Sequence, residues 1–375
     1  MDISGDKNNV DDKMLSRLFY FPICNEDEID RVLNVRTAQD YLLKLRADTI
    51  VNNMRLFRVY RNRALSLEGE WSLEKSFEID HYTNFLQSIP LNLRKRCDSI
   101  TYGDIFSNIP NGQIFKTDYG PAITISDSLR FFFKFMNLAL LDFNGRVPER
   151  VCLNALRIAI RVMLKTETMD FLMDPRGIVP EDIVQAIHTP IPYQLQFIAG
   201  HEFAHYLLNH LSETNVSDCY IYYDISECNE NYEKVKVYNQ SQRDEFDADI
   251  KSLSFPRLPA DEYRKLYESS LLWFGSLQIY EAAYDAIYPS SSWDYKTHPT
   301  ARDRYDNILD NVKTPSGVNK DSWKSFLKII ERYKNMIIED ISLNYDLYEM
   351  YGSVYLDEPD SEWRGPRLID RVDYY

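Results

Sequence analysis

Hydrophobic residues recur along this chain mostly at the three- and four-residue spacing of helices that bury one face. Proline, serine, threonine and aspartate stand where several of these segments begin, as is typical of helix N-termini. The pattern therefore predicts a mainly helical protein. We expect helices at residues 37–65, 127–143 (capped by Asp127), 148–165, 193–211, 241–253, 259–288, 299–312 and 321–343.

Strand-like alternation is confined to a few short stretches. Residues 121–126 predict a strand whose backbone could take up an extended peptide as an added strand. Residues 219–225 and 234–238 alternate on either side of a polar turn, which predicts a hairpin. Glycines and prolines punctuate residues 66–120, so we expect only short strands and loops there. The predicted fold class is α+β, with a mostly helical core and a small mixed sheet.

A chain of 375 residues can bury a large core without disulfides. We expect a disordered polar N-terminus at 1–13 and an N-terminal α+β region of unknown role at 14–120. The main domain would span 121–345 and contain a hairpin-like insertion at 215–240. An acidic, extended C-terminal tail would follow at 346–375.

Net charge, hydropathy and cysteine content limit the classes of partner and the cellular compartment that we expect. The chain carries 43 basic and 58 acidic side chains, a net charge of −15, so we expect no nucleic acid as partner. Its most apolar run, 131–141, is too short to span a bilayer and is interrupted by Lys134 and Asn137, so no membrane span is expected. The five cysteines form no Cys-x-x-Cys pair, which indicates reduced thiols and a cytoplasmic protein.

One pentapeptide inside the predicted helix 193–211 carries a specific chemistry. It reads His201-Glu202-Phe203-Ala204-His205. Histidines four residues apart on a helix project from one face, so both imidazoles can bind a single metal ion, and zinc suits such ligands. Glu202 can reach a water molecule held there and act as a general base. A chance occurrence would bury two imidazoles in an apolar helix without partners, which is costly.

A catalytic zinc site usually has three protein ligands. In a continued helix His210 lies about 140° around the axis from His205, so we interpret it as a structural histidine that points elsewhere. Better candidates are Glu245 and Asp249, an i, i+4 pair on the next predicted helix. One carboxylate can bind the metal, and the other can accept a hydrogen bond from a ligand histidine. The alternative for this pair is a solvated acidic helix face.

A third polar segment, from His298 through Pro299 to Arg304, starts a predicted helix. His298 could donate a hydrogen bond to a developing oxyanion. Arg304 could pair with Asp249 or Glu245. The alternative is a surface histidine that caps the helix.

These three motifs, in this order, resemble those of the gluzincin metallopeptidases, which combine His-Glu-x-x-His, Glu-x-x-Ala-Asp, and His-Pro followed by an arginine. Prenyl-protein endopeptidases and related membrane stress proteases share the scheme but carry several membrane spans. The chain is more similar to the family of the phage-exclusion peptidase Lit. That likeness covers roughly 120–312, where the matching stretches are 122–140, 201–210, 243–249 and 297–308.

The resemblance implies a zincin-like metallopeptidase core in this chain. His201, His205 and Glu245 would bind Zn²⁺, and Glu202 would be the catalytic base. Asp249 would support the ligands, and His298 with Arg304 would support the site.

The resemblance also implies a biological role. The protein would be a dormant cytoplasmic protease of abortive phage defence, triggered by a phage-derived or other protein to cut a host protein, for example in the translation machinery. Two alternatives stay open. One is a catalytically inactive, zinc-stabilised sensor or adaptor, and the other is a peptidase that cleaves a transcriptional repressor.

Overall fold

Helices dominate the chain, and one small mixed sheet accompanies them. The computed structural model describes residues 14–67, 69–107, 111–211, 241–289 and 299–365, together with the backbone of 216–220 and 234–238. The predicted α+β character is confirmed in this coarse form. Residues 1–13, predicted to be disordered, lie outside the described residues. None of the described helices combines the length and the apolar character needed to cross a membrane.

Helices and a short 3₁₀ turn form the N-terminal part of the described chain. They are α1 (14–20), α2 (Glu26–Leu33), α3 (Ala38–Asn52), α4 (Met54–Ser66), the turn at Glu74–Ser76, α5 (Asp80–Ser88) and α6 (Leu91–Arg96).

Two predictions for this region are wrong. The single helix at 37–65 is divided into α3 and α4 at Asn53, whose extended backbone ends one helix and whose side chain accepts the N–H groups of Arg55 and Leu56 in the next. Residues 66–120 contain α5 and α6 besides strands. These helices have nine and six residues, which is too short for a helical period to stand out in the sequence.

The sheet contains five described strands in the order β1-β3-β2-β5-β4. Only β1 and β3 are parallel; the other neighbours are antiparallel. β4 and β5 pair antiparallel as the predicted hairpin, but the first strand is found at 216–220, whereas the prediction was 219–225, of which 221–225 lie outside the described residues. β5 joins the sheet by pairing with β2. The strands are β1 (Thr101–Tyr102), β2 (Gly112–Thr117), β3 (Gly120–Ile125), β4 (Val216–Tyr220) and β5 (Lys234–Tyr238).

The expectation that residues 121–126 offer a free strand edge is wrong. β2 pairs along the whole length of β3. On the other side β1 pairs with Ala122 and Ile123, and the N–H of Ile105 donates to the carbonyl of Ile125 at 3.1 Å. Both edges of β3 are thus occupied, and no peptide can add to it.

The helices after β3 follow the predicted segments closely, although α9 and α15 were not predicted. Asp127 is the N-cap residue of α7, as predicted, but its side chain makes no capping hydrogen bond to the helix backbone and accepts one from Arg130. Pro299 lies outside α13, which begins at Ala301 with Thr300 as its N-cap. The helices are α7 (Ser128–Leu140), α8 (Glu149–Leu164), α9 (Glu181–His188), α10 (Ile191–Leu207), α11 (Gln242–Ser254), α12 (Ala260–Ile287), α13 (Ala301–Asn311), α14 (Lys320–Leu343) and α15 (Tyr345–Glu349).

Helix α10 forms the centre of the fold because nearly every face of it is buried. It packs against α5, α11, α12 and the sheet. Gly200 lets α5 approach closely, since a Cβ there would lie 2.6 Å from ring carbon Cε2 of Phe85. Phe85 also stacks on Phe203 of α10, with ring centroids 5.6 Å apart. The 14–120 region therefore shares one core with the motif helix.

Residues 346–365, which we expected to belong to an acidic extended tail, pack against the body of the protein. Tyr348, Leu356 and Trp363 are buried there. Burial of these apolar side chains favours a packed segment over an extended tail. Residues 366–375 lie outside the described residues.

A buried network of charges ties this segment to α8. Glu167 is fully buried between two arginines, with its oxygens 2.9 Å from Nε of Arg161 and 2.8 Å from Nε of Arg176. Because an unpaired buried charge is costly, each of the three side chains needs the others. Arg161 also donates to the backbone carbonyl groups of Leu347, Met350 and Gly352.

Replacing Glu167 with Gln should lower the free energy of unfolding by about 3–5 kcal/mol, because two buried guanidinium groups lose their shared counter-charge. Urea titration measures this loss, and limited proteolysis should cleave within 346–365 sooner. As a control, Glu149→Gln removes an exposed ion pair between α8 and Arg332 of α14. That change should cost less than about 1 kcal/mol. A Glu167→Gln variant as stable as wild type would contradict the role given to this network.

Candidate metal centre

His201 and His205 lie on the same face of α10, as their spacing predicts. Their Nε2 atoms are 3.0 Å apart. Both rings are buried, with exposed fractions of 7% and 0%. The structure therefore aims two ring nitrogens at one point inside the protein.

Helix α11 brings a carboxylate to this point. Its start is fixed by a capping box, in which the side chain of Ser241 accepts the N–H of Asp244 and the side chain of Asp244 accepts the N–H of Ser241. The next residue, Glu245, is buried and places its carboxylate 3.4 Å from the Nε2 atom of each motif histidine. Ala248, one turn further on, is fully buried where α11 packs on α10.

The three side chains His201, His205 and Glu245 could hold a metal ion. Their donor atoms all lie within 4.8 Å of one another. Tetrahedral coordination with bonds of about 2.0–2.2 Å places donor atoms about 3.3 Å apart. The separations found here, 3.0 and 3.4 Å, are close to that spacing. The donor set thus fits a small divalent cation with only slight adjustment.

Asp249 orients His201 from behind. Its Oδ1 lies 2.9 Å from Nδ1 of His201, so the outer ring nitrogen donates to Asp249 and Nε2 faces Glu245. Arg304 donates to both oxygens of the same carboxylate, at 2.6 and 2.8 Å. Burial by itself would raise the pKa of Asp249, but the charge and hydrogen bonds of Arg304 outweigh it and hold that pKa below its usual value.

Arg304 is itself held in place by α12. Glu281 accepts the N–H of Ala301 at 3.0 Å and so anchors the first residue of α13. Phe274 lies under the guanidinium group, which is 4.7 Å from the ring centroid. Arg304 also comes within 3.4 Å of Glu245. It therefore contacts both carboxylates that the sequence suggested as its partners.

The two motif histidines differ in their affinity for a proton. For His201, burial and the charge of Arg304 oppose protonation, but the hydrogen bond to Asp249 and the nearby Glu245 outweigh them and raise the pKa to about 9. For His205, burial and the neighbouring His201 lower the pKa to about 4. Since a ligand histidine is neutral, a bound cation would take the place of the proton on His201.

Glu202 lies against Gly112, where β2 begins. A Cβ at position 112 would lie 2.8 Å from Oε1 of Glu202 and 2.7 Å from Cγ2 of Ile198. Glycine is therefore the residue that leaves room for this carboxylate. Glu202 is buried and close enough to Arg304 to help raise the pKa of that guanidinium.

The sequence singled out two further histidines, His298 and His210. His298 lies outside the described residues. The expectation that His210 points away from the motif is wrong, because α10 ends at Leu207 and the chain then turns back. The Nδ1 atoms of His210 and His205 are 3.1 Å apart.

The sequence did not indicate that Gly112 and Glu281 contribute to the site. Both act through contacts with residues distant in the chain. Asn209 could have indicated that the helix ends before His210, since asparagine is common where a helix ends in left-handed backbone.

Comparisons of the chain with models of protein families, with curated proteins and with solved structures found no match. The likeness to gluzincin peptidases therefore rests on the three motifs. The distances between the site residues and their burial do not depend on that likeness.

Proposed function

We propose that this protein is a zinc-dependent endopeptidase with a gluzincin-type active site. The observation that carries the proposal is the convergence of His201, His205 and Glu245 at 3.0–3.4 Å, with Glu202 next to them on α10. A solvated acidic helix face would not bury its carboxylate against two imidazoles. The alternative interpretation of α11 is therefore disfavoured.

Zinc is the metal that best suits these donors. Two imidazoles and one carboxylate form a donor set of zinc hydrolases, in which a further position is left open. When bound, zinc would supply Lewis acidity, which polarises a carbonyl group and makes a water molecule more acidic. His201, His205 and Glu245 would hold it, and Asp249 would keep His201 in the tautomer that presents Nε2.

Glu202 would move the protons of the reaction. As a general base it would take a proton from the attacking water, and as a general acid it would pass that proton to the leaving amine. The backbone at Gly112 confines its carboxylate beside α10. A confined base loses little entropy when the substrate binds, which favours the reaction.

We further propose that the protease is cytoplasmic and inactive until triggered, as in abortive defence against phage. The two motif histidines, Glu202 and Glu245 have exposed fractions of 0–7%, and this burial supports a site that opens to a peptide when the protein is triggered. A phage-derived or other protein would be the trigger and a host protein the substrate. Free thiols suit a reducing compartment. Those described are Cys24, Cys97 and Cys152.

A comparison of protein termini tests this proposal. Wild type and the Glu202→Gln variant are expressed in bacterial cells, with and without an infecting phage, and new N-termini are identified by mass spectrometry. We expect new termini in at least one host protein, in infected cells that carry the wild type only. Identical sets of termini in wild-type and variant cells would contradict a protease.

A catalytically inactive, zinc-stabilised sensor or adaptor is the second candidate. The burial of all three donors where α11 packs on α10 supports it, because a metal held there would also stabilise the fold. An adaptor should keep its effect on infected cells in Glu202→Gln and lose it in Glu245→Ala, which removes a metal ligand. A protease should lose its effect in both. A repressor-cleaving peptidase would share the protease result and differ only in the protein that is cut.

Gly112→Ala should lower peptidase activity by about 100-fold, because a 1 Å displacement of a catalytic group has an effect of that order. The new methyl group would collide with the carboxylate of Glu202 and with Ile198, and the flexible carboxylate would yield. Zinc content and the unfolding midpoint serve as internal controls and should stay close to wild type. Activity equal to wild type would show that Glu202 has other room.

A further inference from the structure

The C-terminus of α10 is shaped so that the chain folds back onto the metal centre. Asn209 adopts left-handed backbone, with φ of 58°. Its N–H donates to the carbonyl of Tyr206 at 3.1 Å, and the N–H of His210 donates to the carbonyl of His205 at 3.0 Å. These two bonds define a Schellman motif, in which the second residue beyond the C-cap residue Leu208 returns over the last turn of the helix. His210 is that residue.

This turn places His210 on the side of His205 that faces away from Glu245. The Nδ1 atoms of the two rings are 3.1 Å apart, while Nε2 of His205 lies 3.4 Å from Glu245. If Nε2 of His205 binds the metal, the ring proton sits on Nδ1 and needs an acceptor. Ligand histidines almost always donate this proton to a neighbouring group. Within the described part of the chain, His210 is the hydrogen-bonding partner of that Nδ1.

We propose that His210 is a positioning residue of the metal centre: its Nδ1 accepts the Nδ1–H of His205 and fixes the tautomer in which His205 binds metal. This inference rests on the proposed metal site and deepens it. His210 does not touch the metal or the substrate. Its effect is on how tightly the site holds the cation.

The two ligand histidines are then supported in different ways. His201 donates to Asp249, a carboxylate that Arg304 holds in place. His205 donates to an imidazole, which is a neutral acceptor. The far nitrogen of that imidazole, Nε2 of His210, lies 3.6 Å from Oδ1 of Asp244 at the start of α11. The turn after α10 is therefore linked to the helix that supplies the third ligand.

Zinc affinity of the purified full-length protein tests the proposal. Wild type is compared with His210→Ala, which removes the acceptor, and with His210→Asn, whose Oδ1 can occupy the position of Nδ1. Dissociation constants are measured by competition with a chromophoric chelator, and Co²⁺ spectra report the ligand geometry. His188→Ala is the matched control, since His188 lies on α9 and makes no described contact with the site.

We expect His210→Ala to bind zinc about 10- to 100-fold more weakly and to show an altered Co²⁺ spectrum. His210→Asn should recover most of the affinity, and His188→Ala should match wild type. A purely structural role would lower thermal stability without changing the affinity of the folded protein or its spectrum.

Two results would overturn the proposal. One is wild-type affinity in His210→Ala, which would leave the proposed function intact. The other is equally weak binding in His210→Ala and His210→Asn, which would show that the acceptor is not the cause. Absence of zinc binding by wild type would refute the proposed function together with this inference.

If His210→Ala does not fold, a second pair of variants, at Asn209, tests the same proposal. Asn209→Ala disfavours the left-handed backbone and should displace His210, with a similar loss of affinity. Asn209→Gly permits that backbone and is its control. Equal affinity in these two variants would again contradict the proposal.

Discussion

Glu202→Gln is expected to reduce peptide cleavage by about 10²- to 10⁴-fold, the usual contribution of a general acid–base group. Glutamine has nearly the same shape, so it should occupy the same space beside Gly112 and leave α10 undisturbed. It cannot accept a proton from water, and that step is lost. Because Glu202 is not among the three metal donors, zinc content should be unchanged. Cleavage of the substrate identified from its new N-terminus measures the rate.

Glu28→Gln is the matched control for that variant. Glu28 is also buried and its carboxylate accepts several hydrogen bonds, but it lies in the N-terminal helices away from the metal centre. Its replacement can lower stability, whereas cleavage per folded molecule should be unaffected. Wild-type cleavage by Glu202→Gln with zinc bound would exclude Glu202 as the base.

Asp249→Asn is expected to impair both stability and metal binding. Asp249 is fully buried and balances the charge of Arg304, so its loss leaves a guanidinium without its closest counter-charge and should cost about 3–5 kcal/mol of unfolding free energy. The amide is also a weaker acceptor for Nδ1–H of His201. Zinc affinity should therefore fall by about 10- to 100-fold. Urea titration and chelator competition measure the two effects.

Asp340→Asn separates these two effects. Asp340 is buried too and pairs with Arg157 in the same two-bond manner, away from the metal centre. It should lose stability to a similar extent and keep wild-type zinc affinity. If Asp249→Asn also kept its zinc affinity, Asp249 would have a structural role only.

The sequence was sufficient wherever one local geometry decides the outcome. Residues four apart on a helix face the same side, so the pairing of His201 with His205 followed from spacing alone. The capping box at Ser241 fixed the start of α11, and with it the position of Glu245 on that helix. Predictions failed where two local outcomes compete. Asn53 can end or start a helix, and in this chain it does both.

The strand at 121–126 shows a second reason for failure. Its residues predicted a strand correctly, but the neighbours of a strand are chosen by the packing of the whole sheet. β1 and β2 occupy both of its edges, which no property of the strand itself reveals. The buried C-terminal segment is similar, because it is held by Arg161 and Glu167, which lie far from it in the chain.

By itself, the sequence determined most of the helices after residue 127, the presence of a small sheet and the two pairs of side chains with metal-binding spacing, because backbone geometry within a helix depends on neighbours a few residues away. Only the tertiary structure decided that Glu245 meets the two histidines, that Asp249 and Arg304 stand behind one of them and His210 behind the other, and that Gly112 confines Glu202. Those contacts join separate elements, and their distances follow from how the helices and the sheet share one close-packed core.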